Sequence, residues 1–309
     1  MRVLVTGGAG FIGSHMVRAL LGRGHEVVVL DDLSTGKREN LPQADRLDLL
    51  VGDVADAGAV TAALSGCHAF LHLAAVASVE RSVREPLVTH RTNLLGSIQL
   101  FAEAARQGVR RGLYASSAAV YGDAQTLPLA ETAPLRPLTP YAIDKLAGEQ
   151  YLAYFHRSGA LDGTAFRFFN VFGPRQDPLS PYSGVISIFL DRGLRGAPIT
   201  VFGDGEQTRD FVYVGDVVRA LMAALESGGG APELPVYNVA RGESVSLTQL
   251  LDVVGSLPAV RAPLSVSHGP ARQGDIRHSL ADTSKLRSEL AWEPLTTVRD
   301  GLLAIAKQG

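Results

Sequence analysis

The chain has 309 residues, 46% of them hydrophobic, and a formal net charge of -2. That balance, with basic residues scattered along the sequence, argues against nucleic acid or an anionic membrane as partner, and the length supplies apolar surface for about two domains. The single cysteine, Cys67, excludes an internal disulfide framework, no apolar run approaches the roughly 18 residues of a membrane span, and no leader-like segment precedes MRVLVTGGAG, so a soluble cytoplasmic protein is expected.

A short β-branched run at 3–6 predicts the first strand, and TGGAGFIGSH then opens a helix over 12–22. Gly7, Gly10 and Gly13 are spaced three apart, the pattern that makes a tight turn, lets backbone approach a pyrophosphate and lets helix and strand pack closely. The helix start beyond it, with Phe11 and Ile12, offers free N–H groups and a positive dipole end to phosphates. Residues 26–30 read as a strand buried on both faces, ending at Asp31 and Asp32. An acid about 20 residues beyond such a loop binds a ribose 2′-hydroxyl and repels a 2′-phosphate, which favours NAD over NADP. Lys37 and Arg38 work against that preference, and Asp31 has a second reading as a strand-end turn residue. A third strand at 49–51 leads to Asp53 and Val54, placed either to hold an adenine or simply to turn the chain.

Helix at 60–64, strand at 69–73, helix at 92–107, strand at 112–116, helix at 140–157 and strand at 164–168 continue the alternation. Strands alternating with helices imply a parallel sheet covered on both faces, with ligands at the carboxyl ends of its strands. Tyr141 and Lys145 in PYAIDK share one helical face, and Pro140 suits the first helical position, with Thr139 as N-cap. An ammonium and a helix N-terminus beside a phenol both favour phenolate, and a tyrosine base working near neutrality needs its value of about 10 lowered. Ser117 stands at the carboxyl end of the strand over 112–116, in reach of the same substrate oxygen.

The rhythm changes after Asn170, where Pro174, Pro178 and Pro181 interrupt the pattern and Tyr182 opens a new region. GDGEQTRD (203–210) precedes an apolar run at 211–214, SGGGAPELP (227–235) reads as a surface loop, and the tail from Ser244 reads as a small mixed domain. No internal repeat is present, and the histidines, acids and lone cysteine form no metal-ligand pattern.

Several motifs in fixed order carry a resemblance that covers nearly the whole chain: TGGAGFIGSH, DDLSTG, GDV (52–54), HLAA (72–75), SSAAVYG, YAIDK, RFFNVFGPRQ, TRDFVYVGDV and GDIRHSLAD. Together they resemble the extended short-chain dehydrogenase/reductase family, in its NAD-dependent epimerase/dehydratase group, and most of all the UDP-glucose and UDP-N-acetylglucosamine 4-epimerases. The resemblance implies a Rossmann-type doubly wound α/β domain over 1–170, with returning segments at about 211–243, and a smaller mixed α/β domain for a nucleotide sugar over 171–210 and 244–309. It implies bound NAD, touched by Asp32, Ser34, Thr35, Gly36, Leu73, Ala74, Ala75, Asn93, Ser116 and Phe168 beside the residues above. Tyr141 then takes the proton of the sugar 4-hydroxyl while hydride leaves C4, the 4-keto sugar turns over, and the hydride returns to its other face.

By the same resemblance Arg209 and Arg272 clamp the diphosphate with Asn170, Asp275 takes the nucleotide ribose, Thr200, Val201 and Phe202 line the uracil side, and Val185 and Phe169 line the substrate site. Related 4,6-dehydratases carry an acid pair where this chain has Ala118 and Ala119, and a related decarboxylase carries a glutamate in that segment, so both reactions are disfavoured. Ala77 stands where some glucose-type epimerases carry a lysine. Ser279 matches the position whose bulk limits the pocket, and a small residue there leaves room for a 2-acetamido group. Epimerisation of a uronic acid or deoxyhexose nucleotide is the alternative, with Arg81 and Arg84 available to a carboxylate or simply forming a solvated face. A protein that only senses the NAD redox state would have lost Tyr141 or Lys145, and both stand. A homodimer paired through the helices over 92–107 and 140–157 is expected.

Overall fold

The structure is a computed structural model that describes residues 1–177, 184–227, 229–261, 263–271 and 276–307. Arg272 and Asp275, with Pro178, Pro181 and Tyr182, lie outside the described residues. The chain divides into two compact units, one made of 1–122, 135–168 and 218–237, the other of 123–134, 169–217 and 238–309.

The first unit opens as β1 (Arg2–Thr6), α1 (Phe11–Gly22), β2 (Glu26–Asp31), β3 (Leu47–Val51), α2 (Ala57–Leu64) and β4 (Ala69–His72). It continues with α3 (Val79–Arg84), α4 (Pro86–His90), α5 (Gly96–Gln107), β5 (Arg111–Ser117), α6 (Pro140–Arg157) and β6 (Asp162–Phe168). The second unit contributes β7 (Asn170–Phe172), α7 (Val185–Arg195), β8 (Ile199–Phe202), β9 (Thr208–Arg209) and β10 (Phe211–Tyr213). After α8 (Val214–Glu226) and β11 (Val236–Val239), which each cross the boundary between units, come β12 (Val245–Ser246), α9 (Leu247–Gly255), β13 (Val266–Gly269), α10 (Ser284–Leu290) and α11 (Val298–Ala306).

Seven strands form one sheet in the order β11-β6-β5-β4-β1-β2-β3, and β1 to β6 pair in parallel. The doubly wound α/β expectation therefore holds, and the reason is compositional: β1, β2 and β4 are buried on both faces almost throughout, which only helices on each side can satisfy. Leu4, Val28, Phe70, Phe101, Tyr114 and Leu152 knit strands to helices in the core of this unit. Strand order reverses between β1 and β4, so the loops after those two strands part and leave a crevice at their carboxyl ends, the place where open α/β sheets bind ligands. The second unit has its own core, built on Phe172, Ile186, Phe189, Val201, Phe211 and Leu250.

One element departs from expectation. The helix expected over 92–107 begins as a π-turn at Arg91–Leu95 before α5 takes over. Asn93, fully buried, accepts from Val76 N at 2.7 Å and donates to Val76 O, and a side chain on Gly96 would press on Val54. The wider turn lets Asn93 reach the strand-end loop while the helix stays packed on β-strand residues, the usual setting of a π-bulge.

Candidate active site

The glycine loop occupies the turn between β1 and α1. Gly7 has φ +68, and a Cβ there would lie 2.7 Å from Ala74 N. A Cβ on Gly13 would lie 2.1 Å from Gly7 O, so helix and turn close on each other only without side chains. Gly10 caps α1 without a side-chain hydrogen bond, leaving the first-turn N–H groups around Phe11 and Ile12 with no side-chain partner. That is a cradle shaped for an anion.

Asp31 is buried at the end of β2, where Oδ2 accepts from Ala9 N and Oδ1 from Leu33 N, each at 2.9 Å. It therefore braces the glycine loop as well as standing beside it, and burial pushes its carboxyl up against the pull of those N–H groups. Asp32 accepts from Ser34, and Asp32, Ser34 and Thr35 are exposed while Gly36 is buried against Asp31. Asp53 turns the chain by accepting from Ala55 N and pairs with Arg91 at 3.1 Å, and Val54 is buried.

Thr6, His72 and Ser97 form a chain of hydrogen bonds behind the loop. Thr6 Oγ1 accepts from Leu73 N and Ala74 N, so its own proton goes to His72 Nδ1 at 2.7 Å. Ser97 Oγ gives its proton to Asn93 O at 2.6 Å and therefore accepts from His72 Nε2 at 2.8 Å. The order fixes a neutral Nε2–H imidazole, consistent with burial pushing His72 down to about 3. This chain runs from the glycine loop to the π-turn that carries Asn93. The HLAA segment gave the sequence-level signal for it, but not its partners.

Tyr141, Lys145 and Ser117 come together where β5 meets α6. Thr139 caps α6 by accepting from Ala142 N, Pro140 starts it, and Ser82 of α3 accepts from Tyr141 N at 3.1 Å, so Tyr141 is held by its backbone as well. The Ser117 hydroxyl stands close enough to the Tyr141 hydroxyl to hold the phenol down against burial. Lys145 Nζ donates to Ala115 O at 2.7 Å, 5.9 Å from the centre of the Tyr141 ring and 5.1 Å from that of Tyr114. Lys145 was expected to be the main group lowering the Tyr141 phenol, and the chain itself does not bear this out. Burial raises Tyr141, the opposing contribution is the Ser117 hydrogen bond, and burial drives Lys145 down to about 8 against the nearby Asp144 carboxylate. Two groups desolvated by the same packing shift in opposite directions, the phenol up and the ammonium down; neither takes charge cheaply in the protein alone. Ala118 and Ala119 follow in a short 3-10 turn, so no carboxylate stands there.

In the second unit an open pocket of about 450 Å³ is lined by Asn170, Val185, Thr200, Phe202 and Arg209, all expected as substrate residues, with Val201 buried beneath. Phe189, Arg192, Gln207 and Leu247 line it too, which the sequence reading missed. Gln207 is buried and donates to Phe202 O at 2.7 Å; its place two residues before Arg209 was the available signal. Ser279 is half-buried and is not among the pocket's lining residues; it lies on a segment whose Arg277 O and Ala281 N bond Thr208 N and Asp210. Phe168 and Phe169 are buried. Arg81 and Arg84 both pair with Glu85 at 3.1 Å, the arrangement of a solvated helix face.

Residues 3–240 match the family model described as the NAD dependent epimerase/dehydratase family. The chain belongs to that family. A UDP-glucose 4-epimerase of Mycolicibacterium smegmatis is 41% identical over 98% of this chain and 96% of its own length. Among solved structures, the UDP-glucose 4-epimerase of Thermotoga maritima with UDP-glucose superposes with a TM-score of 0.93 at 38% identity, covering 99% of this chain and 98% of the other. A UDP-N-acetylglucosamine 4-epimerase of Methanobrevibacter ruminantium in complex with UDP-N-acetylmuramic acid gives a TM-score of 0.92 at 38% identity, covering 100% and 99%. As a member of the NAD-dependent epimerase/dehydratase family the chain is an NAD enzyme, and the side-chain-free cradle at Gly7, Gly10 and Gly13 fits that cofactor's pyrophosphate. No helix among the described residues is long and apolar enough to cross a membrane.

Proposed function

We propose that this protein interconverts the C4 epimers of a UDP-hexose with NAD held throughout the cycle. The observation that carries the reading is the meeting of Ser117, Tyr141 and Lys145 at the carboxyl end of β5, with alanines at 118 and 119 where elimination needs an acid. Gly7, Gly10, Gly13 and Asp31 are proposed to hold NAD, with Asn93, Leu73, Ala74, Ala75 and Ser116 beside them. When bound, NAD supplies the acceptor and later the donor of the sugar's hydride. Tyr141 Oη accepts the proton of the sugar 4-hydroxyl as the 4-keto sugar forms, and returns it when the alcohol is remade. The Ser117 hydroxyl holds the same sugar oxygen and lowers the cost of phenolate, with Lys145 Nζ 5.9 Å from the centre of the ring.

The first unit is the cofactor domain and the second the nucleotide-sugar domain in this reading. The pocket walled by Asn170, Thr200, Phe202 and Arg209 supports a clamp for a nucleoside diphosphate, and Arg209 offers the fork that suits a diphosphate. Arg272 and Asp275, which lie outside the described residues, are proposed to complete it. The hexosamine preference rests on Ser279: a small residue admits a 2-acetamido group. The pairing of Arg81 and Arg84 with Glu85 lends nothing to a uronic acid substrate. Similarity at 41% and 38% identity to 4-epimerases of both hexose types supports the reaction and leaves the sugar to experiment.

The deciding test assays UDP-glucose, UDP-galactose, UDP-N-acetylglucosamine and UDP-glucuronic acid without added cofactor. Turnover of a hexose or hexosamine, with NAD released only on denaturation, is expected. Stoichiometric consumption of NAD overturns the reading in favour of a net dehydrogenase. Ser279→Tyr is expected to abolish turnover of the acetylated sugar and spare the plain one; equal loss of both removes Ser279 from the specificity argument.

A further inference from the structure

Glu149 has no place in the chemistry above, yet it is buried with a full charge beside it. It follows Lys145 by four residues on α6 and so shares the face that carries Tyr141 and Lys145. Ser116 Oγ donates to Glu149 Oε1 at 2.5 Å. Arg167 of β6 grips the same carboxylate with two bonds, Nε to Oε1 at 3.0 Å and Nη2 to Oε2 at 2.7 Å. Side-chain exposure is 5% for Arg167 and 3% for Glu149, so neither charge is hydrated. Arg167 also donates to the Tyr121 hydroxyl at 3.0 Å and stacks over that ring at 4.9 Å, and its sheet partner is Ser116 itself. The cluster thus binds three things at once: the end of β5 next to Ser117, the helix of Tyr141, and the 3-10 turn that carries Ala118 and Ala119.

We infer that Glu149, balanced by Arg167, is a positioning residue that holds the Ser117 end of β5 in register with Tyr141, and that the neutrality of the pair keeps either of its charges from biasing the Tyr141 phenol. The inference rests on the epimerase reading. Buried pairs are poor sources of net stability, so a simple brace would be served as well by apolar side chains. What apolar side chains do not supply is the acceptor that fixes the Ser116 hydroxyl.

Among the described residues, charged or titratable groups near this site include Lys145 and Asp144 on the helix of Tyr141, Tyr114 on β5 and, next to Lys145, His72 on β4, with His90 of α4 bonded to Asp144 at 2.8 Å. On α3, Arg81 pairs with Glu85. The variants below leave all of these in place.

Glu149→Gln leaves the Arg167 cation unbalanced, and Arg167→Met leaves the carboxylate unbalanced. The acid limb of the kcat/KM profile for the preferred UDP-hexose is therefore expected to move to lower pH in the first and to higher pH in the second, by about half a unit or more. Both single variants are expected to lose about tenfold or more in kcat, with KM changed less than about threefold. The double variant Glu149→Met with Arg167→Met, neutral again, is expected to return the limb to its original position while kcat stays low, because Ser116 has lost its acceptor. Shifts in the same direction in both single variants, or no shift with only a lowered melting temperature, overturn the inference. If neither single variant folds, the double variant decides, and a wild-type kcat there overturns it. Phenolate absorbance during alkaline titration, taken as the difference between each variant and its Tyr141→Phe counterpart, reads the same opposite shifts without turnover. A wild-type protein inactive on every UDP-sugar would sink the functional reading and leave this titration still decisive.

Discussion

At the residue scale, the site is a set of groups whose protonation is governed by desolvation and answered by single hydrogen bonds. Tyr141→Phe is expected to cut kcat by about 10²- to 10⁴-fold with the fold and NAD content unchanged, measured by steady-state kinetics beside circular dichroism; a loss under tenfold would remove Tyr141 as the proton carrier. Lys145 falls to about 8 in the folded chain from an ordinary 10.5. Between those values the unfolded chain binds more protons, so the contribution of Lys145 to stability rises with pH through that window. Denaturant midpoints at pH 8 and pH 10 are expected to separate wild type from Lys145→Met increasingly in favour of wild type. His72 behaves alike in acid: held neutral down to about 3 against 6.5 unfolded, its contribution is lost as pH falls from 6.5 to 3. His72→Gln is expected to flatten that part of the stability profile. The glycines, Asp31, Tyr141, Lys145 and Ser117 were legible in the sequence because their spacing encodes local geometry. The Thr6–His72–Ser97 chain was not, since its members are 66 and 25 residues apart and are joined by the pairing of β1 with β4 and the packing of α5 on β4.

At the element scale, α6 on β5 is the decisive contact. Gly148 lets it form: a Cβ there would stand 2.2 Å from the Tyr114 hydroxyl oxygen. Gly148→Ala is expected to destabilise by about 1–3 kcal/mol through overpacking and to lower kcat by moving Tyr141. Adding Tyr114→Phe, which removes the obstructing oxygen, is expected to recover most of both, a coupling read by a double-mutant cycle; strict additivity would refute the contact as the cause. The outer faces of the same helices carry apolar side chains that a single chain leaves in water. Leu87 is 83% exposed, Val83 61%, Tyr154 59% and Ile143 52%, and α3 and α4 pack on α6. We propose that this surface pairs two copies, and it sits on α3, α4, Leu95 and α6 rather than along the body of α5. Leu87→Glu with Tyr154→Glu is expected to convert a dimer into monomer by sedimentation; a wild-type monomer would refute the pairing. The sequence did indicate two long, partly apolar helices. It did not indicate the π-turn at Arg91–Leu95, because that turn goes with the pair of hydrogen bonds between Asn93 and Val76 and the tight seat of Gly96.

At the scale of the whole molecule, each unit is organised around a buried acid that binds backbone. In the first it is Asp31. In the second it is Asp210, fully buried, which accepts from Arg241 N, Gly242 N and Ala281 N and so ties three stretches of chain together next to Arg209. Burial pushes Asp210 up to about 6 against those N–H groups. Its folded value lies above the ordinary 3.8, so its charge costs stability at neutral pH and the cost is relieved as pH falls from 6 through 3.8, opposite in sign to His72. Wild type minus Asp210→Asn is expected to show that slope in urea titrations. The sequence by itself determined the strand–helix alternation, the glycine loop, the acid at the end of β2, and the placing of Tyr141 and Lys145 on one helical face and of Ser117 at a strand end, because each is written within one turn or one strand end, where spacing and residue type dictate geometry. The tertiary structure alone decided the strand order that opens the crevice between β1 and β4, the return of 123–134 to the second unit, the company Gln207 and Arg192 keep in the pocket, and the burial of Glu149 against Arg167. Those depend on which distant segments pair and on how much water the pairing excludes. The same exclusion raised Tyr141 and lowered Lys145, so the charge on the two residues most legible in the sequence was settled by the fold.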